Sequence, residues 1–330
     1  MTANLTPQYR KAEAVYRQAT TPEEELKCLQ EMLRELPKHK GTDKLQADLK
    51  QKISRVKKSV QSGTASKKQG STRIPRQGAG RVILLGGPNS GKSQFMCAVS
   101  RATPEVAVYP FTTRTPFPGM MPYEDIQIQL IDTPPVTQDV LETDVLGLIR
   151  GADLVLLLVD LGNDEGPELA QHVIDRLEQT KTRLGAQSYL DENDVGLAYT
   201  RTFSVLNKID LPEAEDRLQI LHEFFPWDFS EFEISAETGI GIDELKQAIY
   251  QALDVVRVYT REPGKKEPDY DRPYTIRRGG TLLDVAELIH KDLANTFKNA
   301  KVWGSQVHDG TVVKGDYVIH DRDIVEIHAS

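Results

Sequence analysis

Residues 86–93 read GGPNSGKS, and these eight positions constrain the fold more than any other stretch of the chain. They fit the pattern G-x-x-x-x-G-K-[ST] and lie between an apolar run, RVILL, and an amphipathic one, SQFMCAVS. Such a loop works only where a strand ends and a helix begins, because successive backbone N–H groups and the helix N-terminus together cradle phosphate oxygens. In that reading Gly86, Asn89, Ser90, Gly91 and Gln94 belong to the cradle, Lys92 reaches the β- and γ-phosphates, and Ser93 ligates Mg²⁺.

The surrounding texture agrees. From Arg81 onward short apolar runs, among them IQIQLID, ADLVLLLVD and TFSVLNKID, alternate with amphipathic segments, the pattern of a mostly parallel sheet with helices on both faces. Residues 81–254 form this α/β domain. Ahead of it, Thr21, Pro22 and Glu24 open a helix carrying Leu26, Leu29, Leu33 and Leu36, and Leu45, Leu49, Ile53, Val56 and Val60 mark a second. Residues 1–62 are thus a helical hairpin with a short helix before it, and residues 63–80, rich in Gly, Ser, Lys and Arg, are a flexible basic linker. After Val255 the strands VRVYT, YTIRR and DIVEIHA flank one helix from about Thr281 to Leu293, so residues 255–330 are a compact α+β module.

Two further stretches select the nucleotide. NKID, Asn207 to Asp210, follows a strand, and the carboxylate of Asp210 can accept hydrogen bonds from guanine N1–H and the exocyclic amine, where adenine offers an acceptor instead of that N1–H. Asn207 and Lys208 complete the loop, and Ser235, Ala236 and Glu237 supply the backing of the base. Between the phosphate loop and NKID, Asp132 ends the strand IQIQLI and would hold Mg²⁺ through water. Thr113 is the candidate to close on the metal and the γ-phosphate, with Thr112 as its competitor. Together these residues imply GTP and GDP as ligands.

Charge adds an asymmetry: the net −8 divides into +9 over residues 1–80 and −17 over the rest. Lys57, Lys58, Lys67, Lys68, Arg73 and Arg76 make the first part a candidate for RNA phosphates, with a solvated helical face as the plain alternative. Cys28 and Cys97 have neither metal-ligand nor disulfide-framework spacing, and the reading is of two free, buried thiols in a cytoplasmic protein. The longest apolar run, Leu154–Val159, is too short to span a bilayer, so no membrane role is expected.

Assembled, the motifs resemble the Obg-related GTPases and, within them, the developmentally regulated GTP-binding proteins. PKHKGTDKLQADLKQKISRVKKSV resembles their helical hairpin, EVAVYPFTT with the PG that follows their first switch, and IQIQLIDTP their second. The stretch from VRVYTREPGKKEPDYDRP through LIHKDLANTFKNAKVWG to DRDIVEIHAS resembles their ubiquitin-like TGS domain. The resemblance implies a P-loop GTPase that acts on the ribosome or its RNA, with the TGS and helical parts docking the partner. It also implies a catalytic contribution from Asn89, which at this place in related enzymes helps hold K⁺, and leaves open whether K⁺ stimulates this chain. Two departures stand out. The 74 residues between Asp132 and Asn207 leave little room for the extra domain of that branch, and Pro135 stands where the family has glycine. A proline there lacks the N–H that would donate to a γ-phosphate, and Val136 stands where Ras-like enzymes place a glutamine. The expectation is a slow GTPase; the competing expectation is a nucleotide-gated docking module with negligible turnover.

Overall fold

The computed structural model describes residues 6–17, 22–37, 42–61, 74–100, 115–137, 141–192, 194–265 and 267–329. Near the start of the chain three helices, α1 (Pro7–Arg17), α2 (Pro22–Glu35) and α3 (Asp43–Gln61), pack on one another. The Thr6 hydroxyl accepts the Tyr9 N–H at 3.1 Å and so satisfies one free donor of the first turn of α1. The apolar stripes meet as their spacing requires: Leu29, Leu36 and Leu49 are buried, joined by Tyr9, Tyr16 and Met32. Val195, from the α/β domain, completes this small core.

The central sheet is built from β1 (Arg81–Gly86), β2 (Phe117–Tyr123), β3 (Ile126–Asp132), β4 (Leu154–Asp160), β5 (Thr182–Gly185), β6 (Tyr189–Leu190), β7 (Ala198–Asn207) and β8 (Ser230–Ile234). Its order is β2-β3-β1-β4-β7, and the long β7 pairs with β5 along its first half and with β8 along its second. β1, β3, β4, β5, β7 and β8 run parallel, whereas β2 and β6 pair antiparallel. β1 and β4 are buried at every residue, which is why they read as unbroken apolar runs instead of alternating ones. On one face Val82, Leu84 and Leu156 pack against α4 (Lys92–Val99) and α8 (Ile242–Leu253). On the other, Ile83, Leu85 and Leu157 pack against α5 (Thr143–Arg150) and α6 (Gly166–Glu178). α7 (Ala214–Phe224) closes a smaller cluster with Leu161, Ala170 and Leu206.

Where α8 ends, β9 (Val255–Thr260) opens a second sheet, ordered β10-β9-β13-β11-β12, with β10 (Asp269–Arg277), β11 (Phe297–Gly304), β12 (Val307–Val313) and β13 (Asp323–Ala329). The single helix expected between its strands is two, α9 (Leu282–Ile289) and α10 (Lys291–Asn295). His290 takes extended backbone between them, and its ring Nδ1 accepts the Asp292 N–H at 3.1 Å, capping the second helix. A reciprocal capping box between Thr281 and Asp284 starts α9.

Two further expectations change. The basic linker does not stay loose to residue 80. Residues 74–80 are strapped to β3 by the Ala79 N–H on the Gln127 carbonyl at 2.8 Å and the Gln129 side-chain amide on the Pro75 carbonyl at 2.8 Å. Ile74 is buried with the α5 and α6 cluster, and Arg76 pairs with Asp153 and donates to the Gly151 carbonyl at 2.7 Å. Arg76 is therefore spoken for within the protein. Residues 62–73, with Lys67, Lys68 and Arg73, lie outside the described residues. The cysteines are free, but neither is fully buried: Cys28 is half-buried, and Cys97 is exposed on the outer side of α4.

Candidate nucleotide-binding site

Parallel strands share a carboxyl edge, and here that edge gathers nearly every residue singled out in the sequence. β1 runs into the loop 86–93, β3 ends at Asp132, β4 at Asp160, β7 at Asn207, and β8 delivers Ser235 to Glu237.

The loop is held in a cradle shape by its own groups. Ser90 donates to the Gly87 carbonyl at 3.0 Å, and Asn89 is exposed with φ 58. Lys92 is 7% exposed and folds back into the loop, its Nζ donating to the carbonyls of Gly86 at 3.1 Å and Gly87 at 2.7 Å and to Ser90 Oγ at 3.2 Å. Burial lowers its pKa to about 8, with Asp132 opposing the shift. A lysine charge so poorly compensated by carbonyls is suited to a stronger anionic partner. Ser93 Oγ donates to Asp132 Oδ2 at 2.6 Å, and the other oxygen, Asp132 Oδ1, is buried with no partner among the described residues. Burial raises the Asp132 pKa, opposed by the Ser93 hydrogen bond and the Lys92 charge. A hydroxyl and an under-satisfied carboxylate are hard oxygen donors, a set that fits Mg²⁺ completed by phosphate and water oxygens.

Asn207 ties the two halves of the site together. Its Nδ2 donates to the Ser90 carbonyl at 3.0 Å, and its Oδ1 accepts the Ala236 N–H at 3.0 Å. That contact explains Gly91: at φ 88, an added Cβ would sit 2.1 Å from Asn207 Nδ2. Ser235 is fully buried and its hydroxyl accepts the Thr238 N–H at 3.1 Å, shaping the loop behind the base position. Gln94 and Glu237 touch through their side chains, linking the start of α4 to that loop. Asp210 is exposed at the lip. Thr113 and its competitor Thr112 lie outside the described residues.

After Asp132 the chain stays close to β1. The Thr133 hydroxyl donates to the Leu84 carbonyl at 2.7 Å, Pro134 is buried and Pro135 half-buried, and the Val136 N–H donates to the Gly86 carbonyl at 3.3 Å.

A family model described as a 50S ribosome-binding GTPase matches residues 81–194, and a TGS-domain model matches residues 256–329. An uncharacterized GTP-binding protein of Methanocaldococcus jannaschii is 31% identical over 361 residues, which covers 92% of this chain and 92% of that protein. A developmentally regulated GTP-binding protein 2 homolog of Dictyostelium discoideum is 25% identical, covering 92% of this chain and 98% of its own. The chain belongs to a family of GTP-binding proteins that join a GTPase domain to a TGS domain, and relatives named developmentally regulated GTP-binding proteins align with it over its full length. The solved structure of the Schizosaccharomyces pombe YchF GTPase covers 77% of this chain and 99% of its own, with a TM-score of 0.50 at 15% identity, a likeness of fold. As a GTP-binding protein of this family the chain carries the P-loop GTPase fold followed by a TGS domain.

One residue of this GTPase site escaped the sequence reading. Asp160 ends an apolar strand just as Asp132 does, yet no motif contains it; the repeated pattern of a carboxylate closing a buried strand was the available signal. It accepts from Lys208 Nζ at 2.6 Å.

Proposed function

We propose that the chain is a Mg²⁺-dependent GTPase of the cytoplasm whose GTP and GDP states govern docking on a ribosomal or RNA partner. The observation that supports this reading best is the Asn207 bridge, whose two hydrogen bonds link the loop 86–93, the NKID stretch and the Ala236 N–H. Lys92 exchanges its carbonyl partners for the β- and γ-phosphates, the amides around Ser90 to Ser93 receive phosphate oxygens, and Asp210 reads the guanine edge. Ser93 and Asp132 would hold Mg²⁺, which neutralises charge on the phosphate oxygens when bound. Thr113 would close on the same group from the first switch, and Asn89 offers an oxygen for K⁺ beside the phosphates. For the partner, support comes from the matched description of a ribosome-binding GTPase and from the basic surplus of residues 1–80.

One observation favours the second reading, a docking module with negligible turnover. Pro135 has no N–H to offer, and the Val136 N–H that could replace it is already given to the Gly86 carbonyl. Multiple-turnover phosphate release decides between them, measured with Mg²⁺, in K⁺ against Na⁺, with and without ribosomes. Steady release above that of Lys92→Ala supports the GTPase; release equal to that variant under every condition supports the module. Sedimentation with ribosomes in GDP and in a non-hydrolysable GTP analogue tests the partner, and equal binding or none in both would remove the switch.

A further inference from the structure

The guanine loop rests on the turn between β4 and α6, and the contact is built from both sides. Lys208, the second residue of NKID, sits in the left-handed region at φ 71, a conformation that a lysine does not choose unaided. Its ammonium donates to Asp160 Oδ2 at 2.6 Å, with the Asp160 side chain 7% exposed and that of Lys208 26%. The other carboxylate oxygen, Oδ1, accepts the Gly162 N–H at 2.8 Å, and the Leu161 N–H donates to the Asn207 carbonyl at 3.0 Å. Gly162 packs against this contact: a Cβ there would lie 2.6 Å from Leu211 Cδ1 and 3.0 Å from Lys208 Cδ, so any larger residue must displace these side chains. From α7, Arg217 donates to the Leu161 carbonyl at 3.0 Å and the Pro212 carbonyl at 2.9 Å, fastening the same turn to the far end of the guanine loop.

We propose that Asp160 is a positioning residue for the guanine nucleotide: it anchors the Lys208 ammonium so that the lysine stem is held along the face of the base whose edge Asp210 reads. The inference rests on the assignment of Asn207 to Asp210 as the guanine loop. An ammonium left without its carboxylate would swing toward solvent, and the stem would leave the base. Anchoring acts on GDP and GTP alike, because both nucleotides carry the same base.

The test is dissociation of a fluorescent GDP analogue from the full chain, for native protein, Asp160→Asn, Lys208→Met, Lys208→Arg and the Asp160→Asn/Lys208→Met double variant. Asn keeps an oxygen for the Gly162 N–H, so the turn survives while the charge pair is lost. Asp160→Asn is expected to speed release about tenfold, the scale of one hydrogen bond between charged groups. In the Lys208→Met background the same change should add less than about twofold, since non-additivity marks residues acting through one contact. Competition with IDP, which lacks the exocyclic amine, should leave the GDP-to-IDP preference of Asp160→Asn at its native value. Lys208→Arg, whose guanidinium also pairs with a carboxylate, should hold GDP longer than Lys208→Met. An unchanged release rate in Asp160→Asn, an equal acceleration in both backgrounds, a collapse of the GDP-to-IDP preference, or Lys208→Arg releasing as fast as Lys208→Met would each overturn the proposal. A native chain that holds no GDP would instead sink the guanine reading beneath it, an outcome that no variant mimics.

Discussion

At Asp210 and Pro135 the proposed function hangs on single atoms. The exposed Asp210 carboxylate can only accept, which suits the two donors of guanine. Asp210→Asn should therefore weaken GTP and shift preference toward xanthosine triphosphate, whose base presents an oxygen to the new amide; equal loss for both nucleotides in a competition titration would make the aspartate structural. Pro135 has no N–H, whereas a glycine there would have one to offer a γ-phosphate. A hydrogen bond to a charged group is worth about 1.5–3 kcal/mol, roughly ten- to a hundredfold in affinity. Pro135→Gly is thus expected to raise the GTP-to-GDP affinity ratio of nucleotide-free protein by about tenfold, read by calorimetry. A ratio that stays put would mean that this segment never meets the γ-phosphate.

Among the elements, α3 shows what packing costs a charged side chain. Lys52 lies against the Tyr16 ring at 5.6 Å, and a Cβ at Gly196 would lie 1.9 Å from its Nζ, so the ammonium is pressed against the α/β domain. Burial, then the Arg150 charge, lowers its pKa from 10.5 to about 8. A base with a lowered folded pKa binds fewer protons folded than unfolded between those two values, so its contribution makes stability rise with pH from about 8 to 10.5. Lys52→Met should flatten that slope and raise the melting temperature at pH 7, by ~2–4 °C for each kcal/mol recovered in a protein of this size. Thermal melts of both proteins across this pH range make the check. The helix itself was legible from Leu45, Leu49 and Ile53, but Lys52 reads in sequence as one more solvated charge. The Tyr16 ring and the approach of Gly196 from a distant loop cover it.

On the scale of the whole molecule, the TGS domain is clamped to the β2–β3 hairpin of the nucleotide domain. Arg257 of β9, its side chain 5% exposed, pairs with Asp321 at 2.7 Å within its own domain and reaches across to Glu124 and to Asp125 at 3.0 Å in the β2–β3 turn. Tyr259 donates to Asp125, and Tyr123 stacks on Tyr250 at 4.9 Å beside them. The hydrogen bonds that Arg257 donates to Asp321, Glu124 and Asp125 raise its pKa despite its desolvation. Arg257 is buried but its carboxylate partners are 28–48% exposed, so solvent screens the cluster and its loss costs less than that of a fully buried pair. Arg257→Ala leaves Asp125 and Asp321 without this partner while Arg322 keeps Glu124, and calorimetry is expected to resolve separate unfolding of the TGS and nucleotide domains in the variant and a single transition in the native chain. A single unshifted transition in the variant would show that the clamp contributes nothing.

Sequence alone was sufficient for whatever local spacing encodes. The strand, loop and helix around Gly86 to Ser93 must follow one another for a phosphate cradle to form, and the alternation of apolar runs with amphipathic segments requires a layered parallel sheet. The same holds for Asp132 and Asn207, which end strands and so had to meet at one edge. Tertiary structure decided what depends on partners far apart in the chain. Arg76 is an internal tie because Asp153 lies beside it, and Gly91 is obligatory because the Asn207 amide occupies the space of its side chain. Asp160 supports Lys208 because β4 and β7 are neighbours, 48 residues separating the pair. Periodicity reports which face of an element is buried; it carries no record of which distant group arrives there, and that arrival sets the charge, hydrogen bonding and freedom of each side chain.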